Sequence, residues 1–180
     1  MLFIFTLMIR CLYNGNYFNF FHATLMLKDF DSFLPNNDPK SLEKFPFFWI
    51  SQVNGKYVQL IDKSLKKIGL DNTKRKIILS LNALSEANIT EISNLSTIKL
   101  TTATKAIYRL VDEDVVTIFS SPFDERISMV KLTEKGYSLV EQINQINKMT
   151  LAGILNSFEE DELNHLNAQL KKIFDMMPSR

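Results

Sequence analysis

From residue 44 onward, apolar residues recur at helical spacing. Phe47, Ile50, Val53, Tyr57, Leu60, Ile61, Leu65 and Ile68 fall three or four apart, which makes one face of a long helix. Pro46 marks its start and Gly69 its end, and Gly55 weakens it slightly. A second helix follows Asp71, with Ile77, Ile78, Leu81 and Leu84 expected inward. Asn88-Ile-Thr-Glu91 is a capping-box pattern, opening a short third helix that runs to about Leu95. A turn around Thr97 leads into a fourth helix, roughly Leu100 to Glu113. Then the pattern changes. Val115–Phe119 and Ile127–Leu132 are β-branched and strand-like, and Ser120, Ser121, Pro122 and Asp124 join them as a hairpin. Thr133 is placed to cap a long helix carrying Leu139, Val140, Ile143, Ile146, Leu151, Ile154 and Leu155. Ser157-Phe-Glu-Glu160 reads as a second capping box, opening a last helix with Leu163, Leu166, Leu170, Ile173 and Phe174 on one face.

The expected fold is mostly α with a small β-hairpin wing. A short helix, a tight turn, a longer helix and a hairpin together make a winged helix–turn–helix, whose third helix crosses the phosphate backbone and whose fourth enters the major groove. On a helical wheel of the fourth helix, Leu100, Ala103, Ile107, Leu110 and Val111 occupy one arc of about 100°. Lys99, Thr102, Lys105 and Arg109 occupy an arc of about 120° on roughly the opposite side, and no acid lies among them. A solvated helix would show the same two faces; a face of donors without acids is what phosphates and guanine edges require. Thr101, Thr102, Lys105 and Arg109 are therefore the expected DNA-reading residues, with Lys99 beside them. On the wing, Asp124 stands two residues before Arg126. A wing arginine can lie in the minor groove, held by a charge-assisted bond from the aspartate; the plainer alternative is an ion pair that only shapes the loop.

The first forty residues read differently. Met1–Ile9 is apolar except for Thr6 and ends at Arg10. A membrane span needs about 20 apolar residues, and a signal peptide needs charge before its apolar run, so neither fits well. The expectation is an N-terminal extension and turn-rich linker over 1–40, with Met26 as the true start and Cys11 upstream of it. The remainder, 41–180, divides into a DNA-binding lobe at 71–137 and dimerisation helices at 44–69 and 138–178. A formal net charge of +1 excludes a polybasic tail, and one cysteine with two histidines excludes a disulfide framework and a Cys/His zinc cluster. With five glycines and no Gly-rich phosphate loop, nucleotide enzymes are disfavoured too. His22 lies in the extension and His165 on an amphipathic helix, so no catalytic, cofactor or metal residues are expected.

Asp124-Glu-Arg126-Ile-Ser-Met-Val-Lys-Leu132-Thr133-Glu-Lys-Gly136 resembles the wing signature of the MarR family, D-x-R-x-x-x-V-x-L-T-x-x-G. Ile89-Thr-Glu-Ile-Ser, Tyr108-Arg109-Leu110 and Phe158-Glu-Glu-Asp-Glu-Leu163 resemble the flanking helices, so the resemblance spans about residues 45–177. It implies a cytoplasmic homodimer on a pseudo-palindromic DNA operator, usually a repressor released by a small molecule. There are departures. Where the family often has Gly-Leu-Val-Arg, this chain has Asp114-Val-Val-Thr117, and Arg75 replaces an aromatic early in the second helix.

The resemblance places a ligand pocket between the first, second and fifth helices. Phe48, Trp49, Gln52, Asn54 and Tyr57 on the first helix, with Arg75 and Lys76 on the second, would offer an aromatic wall and cations. Such a wall suits an aromatic carboxylate. Alternatively the aromatics are core or interface residues and the cations are solvated. At the level of the whole protein, the alternative to a DNA-binding regulator is a winged-helix module that binds only protein.

Overall fold

The structure, a computed structural model, describes residues 31–178. The expectations for Met1–Arg10, Cys11, His22 and Met26 lie outside the described residues. The chain divides into two compact units, Met1–Gly55 and Lys56–Arg180.

In the first unit, the stretch expected to be a turn-rich linker holds a short 3-10 turn at Asp31–Phe33, and a second, Pro39–Lys44, runs past its expected end at residue 40. Asp38 caps the second by accepting from the Lys40 amide at 3.0 Å, and Pro39 suits the first helical position because it has no N–H to satisfy. Helix α1, Pro46–Lys67, follows after Phe45, which is extended.

In the second unit, α2 spans Asn72–Leu84 with Asp71 at its N-cap. Strand β1 is Glu86–Asn88, α3 is Ile89–Ser96, and α4 is Leu100–Asp112. Strands β2, Val116–Ser120, and β3, Ser128–Leu132, precede α5, Glu134–Leu155, and α6, Glu160–Met176. The sheet has three antiparallel strands in the order β1-β3-β2, with Val130 facing Ala87 on one side and Ile118 on the other. The hairpin was expected; β1 was not. Three residues of low strand propensity carry little local signal, and β1 exists because β3 supplies its hydrogen-bond partners.

One core unites these elements. Ile61 and Leu65 of α1, Ile77, Ile78 and Leu81 of α2, Ile92 of α3, Ile107 and Leu110 of α4, Val130 of β3 and Ile143 of α5 are all buried. Two expected inward residues are not. Leu84 is 41% exposed, because the chain leaves α2 through Ser85 at positive φ and Ala87 of β1 takes the inward place. Leu100 is 50% exposed, because it opens α4 while Ile98, two residues earlier, packs on the core. The cap of α6 also differs. Its capping box joins Glu159 and Glu162, whereas the Ser157 hydroxyl donates back to the Gly153 carbonyl of α5. The helix therefore starts two residues later than the Ser157 pattern placed it.

Two glycines are required by geometry. Gly69 ends α1 at φ 74°, in the left-handed region. Gly136 sits where an added Cβ would lie 2.4 Å from the Val115 carbonyl oxygen, so its lack of a side chain lets the start of α5 rest on the strand.

Candidate nucleic-acid interface

Local chemistry builds the helix–turn–helix. The Asn88 side chain accepts from the Glu91 amide at 3.0 Å and Glu91 accepts from the Asn88 amide at 2.8 Å, so the expected capping box forms at α3. Thr97 takes a left-handed conformation at φ 55°, and the buried Ser93 hydroxyl donates to the Ile98 carbonyl at 2.7 Å. The turn between α3 and α4 is thus pinned from inside, which fixes the angle at which α4 leaves it.

α4 buries Ala103, Ala106, Ile107 and Leu110. Lys99, Thr101, Thr102, Lys105 and Arg109 are all exposed, as expected. Burial of Ala106 turns the helix slightly relative to the expected wheel. At 100° per residue, Thr101, Lys105, Tyr108 and, in the last turn, Asp112 stand opposite the buried strip, with Thr102 and Arg109 flanking them. Tyr108, 56% exposed, was not among the expected site residues. The expected wheel assigned it to neither face, and its spacing from Lys105 places it on the outer one.

The first acid after Lys99 is Asp112. The next, Glu113, is neutralised: the Lys74 ammonium of α2 pairs with its carboxylate, and Lys135 of α5 donates to its carbonyl at 2.7 Å. Lys74 therefore closes the end of α4. Beyond it, Asp114 takes φ 56° where the family motif has glycine, and its carbonyl accepts from the Thr133 hydroxyl at 2.8 Å. Aspartate tolerates this region better than most residues, so the turn survives the substitution.

The wing loop runs over residues 121–127, between β2 and β3. Asp124 clasps Arg126 three ways, accepting from its backbone N at 3.0 Å, from Nε at 3.1 Å and from Nη2 at 3.3 Å. The guanidinium and the amide of Arg126 hold the Asp124 carboxyl below its ordinary pKa, so the clasp is charged at neutral pH. Arg126 itself stays exposed, its side chain 90% accessible, and Nη1 remains free for another acceptor. Lys131 on β3, opposite Thr117, lies over the Phe119 ring at 5.1 Å. It supplies a cation on the same hairpin, although the family's arginine is absent from position 117.

The residues expected to line a ligand pocket separate into two groups. In the first unit, the rings of Phe48 and Trp49 meet edge to face, and Trp49 Nε1 donates to the Glu43 carbonyl at 2.9 Å. Gln52 and Asn54 are exposed. In the second unit, Arg75 is buried, 8% exposed. Its Nε and Nη2 donate to Asn72 Oδ1 at 3.1 and 2.8 Å, and its Nη1 donates to the Tyr57 hydroxyl at 3.0 Å. Tyr57 in turn donates to Asn147 Oδ1 at 2.7 Å. Lys76 is half-buried. No ion pair with a carboxylate reaches Arg75 among the described residues. The described residues hold no group of acids, histidines and cysteines fit for a metal ion. No helix among them is long and apolar enough to cross a membrane.

No family model matches the chain. It is 33% identical over 140 residues to the HTH-type transcriptional repressor IacR of Pseudomonas putida, covering 78% of this chain and 84% of that protein. Its fold is similar to a MarR family transcriptional regulator from Silicibacter pomeroyi, with TM-score 0.73 and 20% identity over 81% of this chain and 100% of that one. It is also similar to a mutant MarR from Escherichia coli complexed with operator DNA, with TM-score 0.61 and 25% identity over 69% of this chain and 90% of that one. The chain belongs to the MarR family of DNA-binding transcriptional regulators.

Proposed function

We propose that this protein is a homodimeric repressor that binds a pseudo-palindromic operator and is released by a small aromatic acid. The observation that carries the DNA reading is the face of α4, exposed and free of acids from Lys99 to Arg109, beside a wing whose arginine is clasped in place. Thr101, Thr102 and Lys105 read the major groove with Tyr108, Arg109 at the flank of that face and Lys99 at its start serve phosphates, and Arg126 enters the minor groove, oriented by Asp124. Residues 71–137 form the DNA-binding lobe, and 44–69 with 138–178 form the dimerisation helices.

The ligand reading rests on Arg75. A buried guanidinium whose partners are all neutral is an incomplete charge, and a carboxylate completes it. Tyr57 supplies both a hydroxyl and a ring, with Arg75 stacked over that ring at 5.2 Å. Lys76 adds a second cation nearby in sequence. Phe48, Trp49, Gln52 and Asn54 are retained as candidate ligand contacts from the sequence pattern.

The test is binding to the DNA flanking the protein's own gene, measured over a range of salt and then titrated with benzoate-, phenylacetate- and indole-type acids. Affinity should fall steeply as salt rises, and Arg126→Ala should weaken binding without lowering the melting temperature. One of the acids should dissociate the complex, and Arg75→Ala should abolish that response. Salt-independent or absent binding rejects the DNA reading in favour of a protein-binding winged helix. Binding that no acid relieves rejects the ligand reading alone.

A further inference from the structure

Phe123 is 98% exposed, more than any other large apolar residue among those described. Nothing about the loop makes it a loose tip. The Ser121 amide donates to the Ile127 carbonyl at 2.8 Å and the Ile127 amide to the Asp124 carbonyl at 2.9 Å. The Phe123 amide itself donates to the Ser121 hydroxyl at 3.3 Å, and Pro122 restricts the backbone just before it. A preorganised loop thus displays a whole phenyl ring to water. No ring or cation elsewhere among the described residues stacks on it.

The ring's surroundings say what it meets. A protein-docking patch needs a contiguous apolar area. Here the ring is followed directly by Asp124, Glu125 and Arg126, with the exposed Ile127 only beyond them, so it is an apolar wedge flanked by charges. Glu125, exposed and not held by the Arg126 clasp, disfavours a tip that merely lies against phosphates. What the tip offers DNA is one guanidinium and one apolar ring. That pair suits the minor groove, where arginine meets the most negative potential and apolar side chains enter between base steps.

We propose that Phe123 is a minor-groove wedge that contacts sugars and partly unstacks one base step beside Arg126. This rests on the reading of the wing as a DNA contact. The test compares the wild-type protein with Phe123→Ala, Phe123→Leu and Arg126→Ala on the same DNA, with 2-aminopurine placed at successive steps outside the major-groove contacts. Phe123→Ala should lower affinity about tenfold with the salt slope unchanged, because a ring displaces no counterion. Phe123→Leu should keep part of that affinity. Arg126→Ala should lower affinity and reduce the slope by about one. With the wild type, fluorescence should rise at one step, and with Phe123→Ala it should not. If Phe123→Ala binds like the wild type and no step brightens while Arg126→Ala is impaired, the wedge is wrong and the wing reading stands. If neither variant is impaired, the wing does not touch DNA and both fall.

Discussion

At the residue scale, single atoms decide whether the DNA-binding lobe closes. The Val115 carbonyl accepts the Thr133 amide at 3.1 Å and the Thr133 hydroxyl at 3.1 Å, and Gly136 lies directly over it. Gly136→Ala should therefore destabilise the fold by about 1–3 kcal/mol, the usual range for overpacking, as read by denaturant unfolding. Gly55→Ala, whose added Cβ meets nothing within 4 Å, should be neutral or stabilising in the same assay. Equal effects in the two variants would show that the close approach at Gly136 does not matter. The wing motif in the sequence already pointed to Gly136, but not to the carbonyl that makes it necessary. The Tyr57–Arg75–Asn72–Asn147 network was half visible. Tyr57 and Arg75 stood out as an aromatic and a cation, whereas Asn147, 90 residues from Tyr57, has no sequence pattern linking it to either.

At the scale of elements, α4 was legible because amphipathicity is a local, periodic signal, and the absence of acids from Lys99 to Arg109 is a matter of composition. Its precise rotation was not, since alanine at position 106 can be buried or exposed at little cost. With Lys105 central on the outer face and Arg109 at its flank, the two cations should behave differently. Lys105→Ala should cost about 1–3 kcal/mol of operator affinity and relax discrimination at one base pair, which a panel of point-substituted operators would reveal. Arg109→Ala should weaken all DNA alike and lower the salt slope by about one. The reverse pattern would mean that the helix enters the groove in another rotation. β1 shows the opposite limit: its three residues had no pattern to read, and only pairing with β3 makes them a strand.

At the scale of the molecule, α6 has no buried residue, and its apolar stripe includes Leu166, Leu170 and Phe174, the last 68% exposed. The end of α5 adds Met149, Ile154 and Leu155 on exposed positions. Apolar surface at such regular spacing is costly in water, and the proposed homodimer would cover it with a second copy. Light scattering at micromolar concentration should give a dimer. Leu166→Asp with Leu170→Asp should yield a monomer that has lost most operator affinity, since two half-sites about 34 Å apart need both recognition helices at once. A wild-type monomer throughout that range would sink the dimer. Acid should act separately on the wing. Because the Asp124 pKa is lowered in the fold, its clasp is present above the ordinary carboxylate range and lost only as pH falls through the lowered value.

The sequence alone determined the order of the six helices and the hairpin, the caps at Asn88 and Thr133, the cationic face of α4 and the Asp124–Arg126 pair. All are local: they depend on residues a few positions apart, or on spacing that repeats along one element. Tertiary structure alone decided which way Leu84 and Leu100 faced, that the cap of α6 falls at Glu159, that Lys74 neutralises Glu113, and that Arg75 is buried with neutral partners. Each of those depends on what a distant segment brings to the same place, and a one-dimensional pattern does not record that distance.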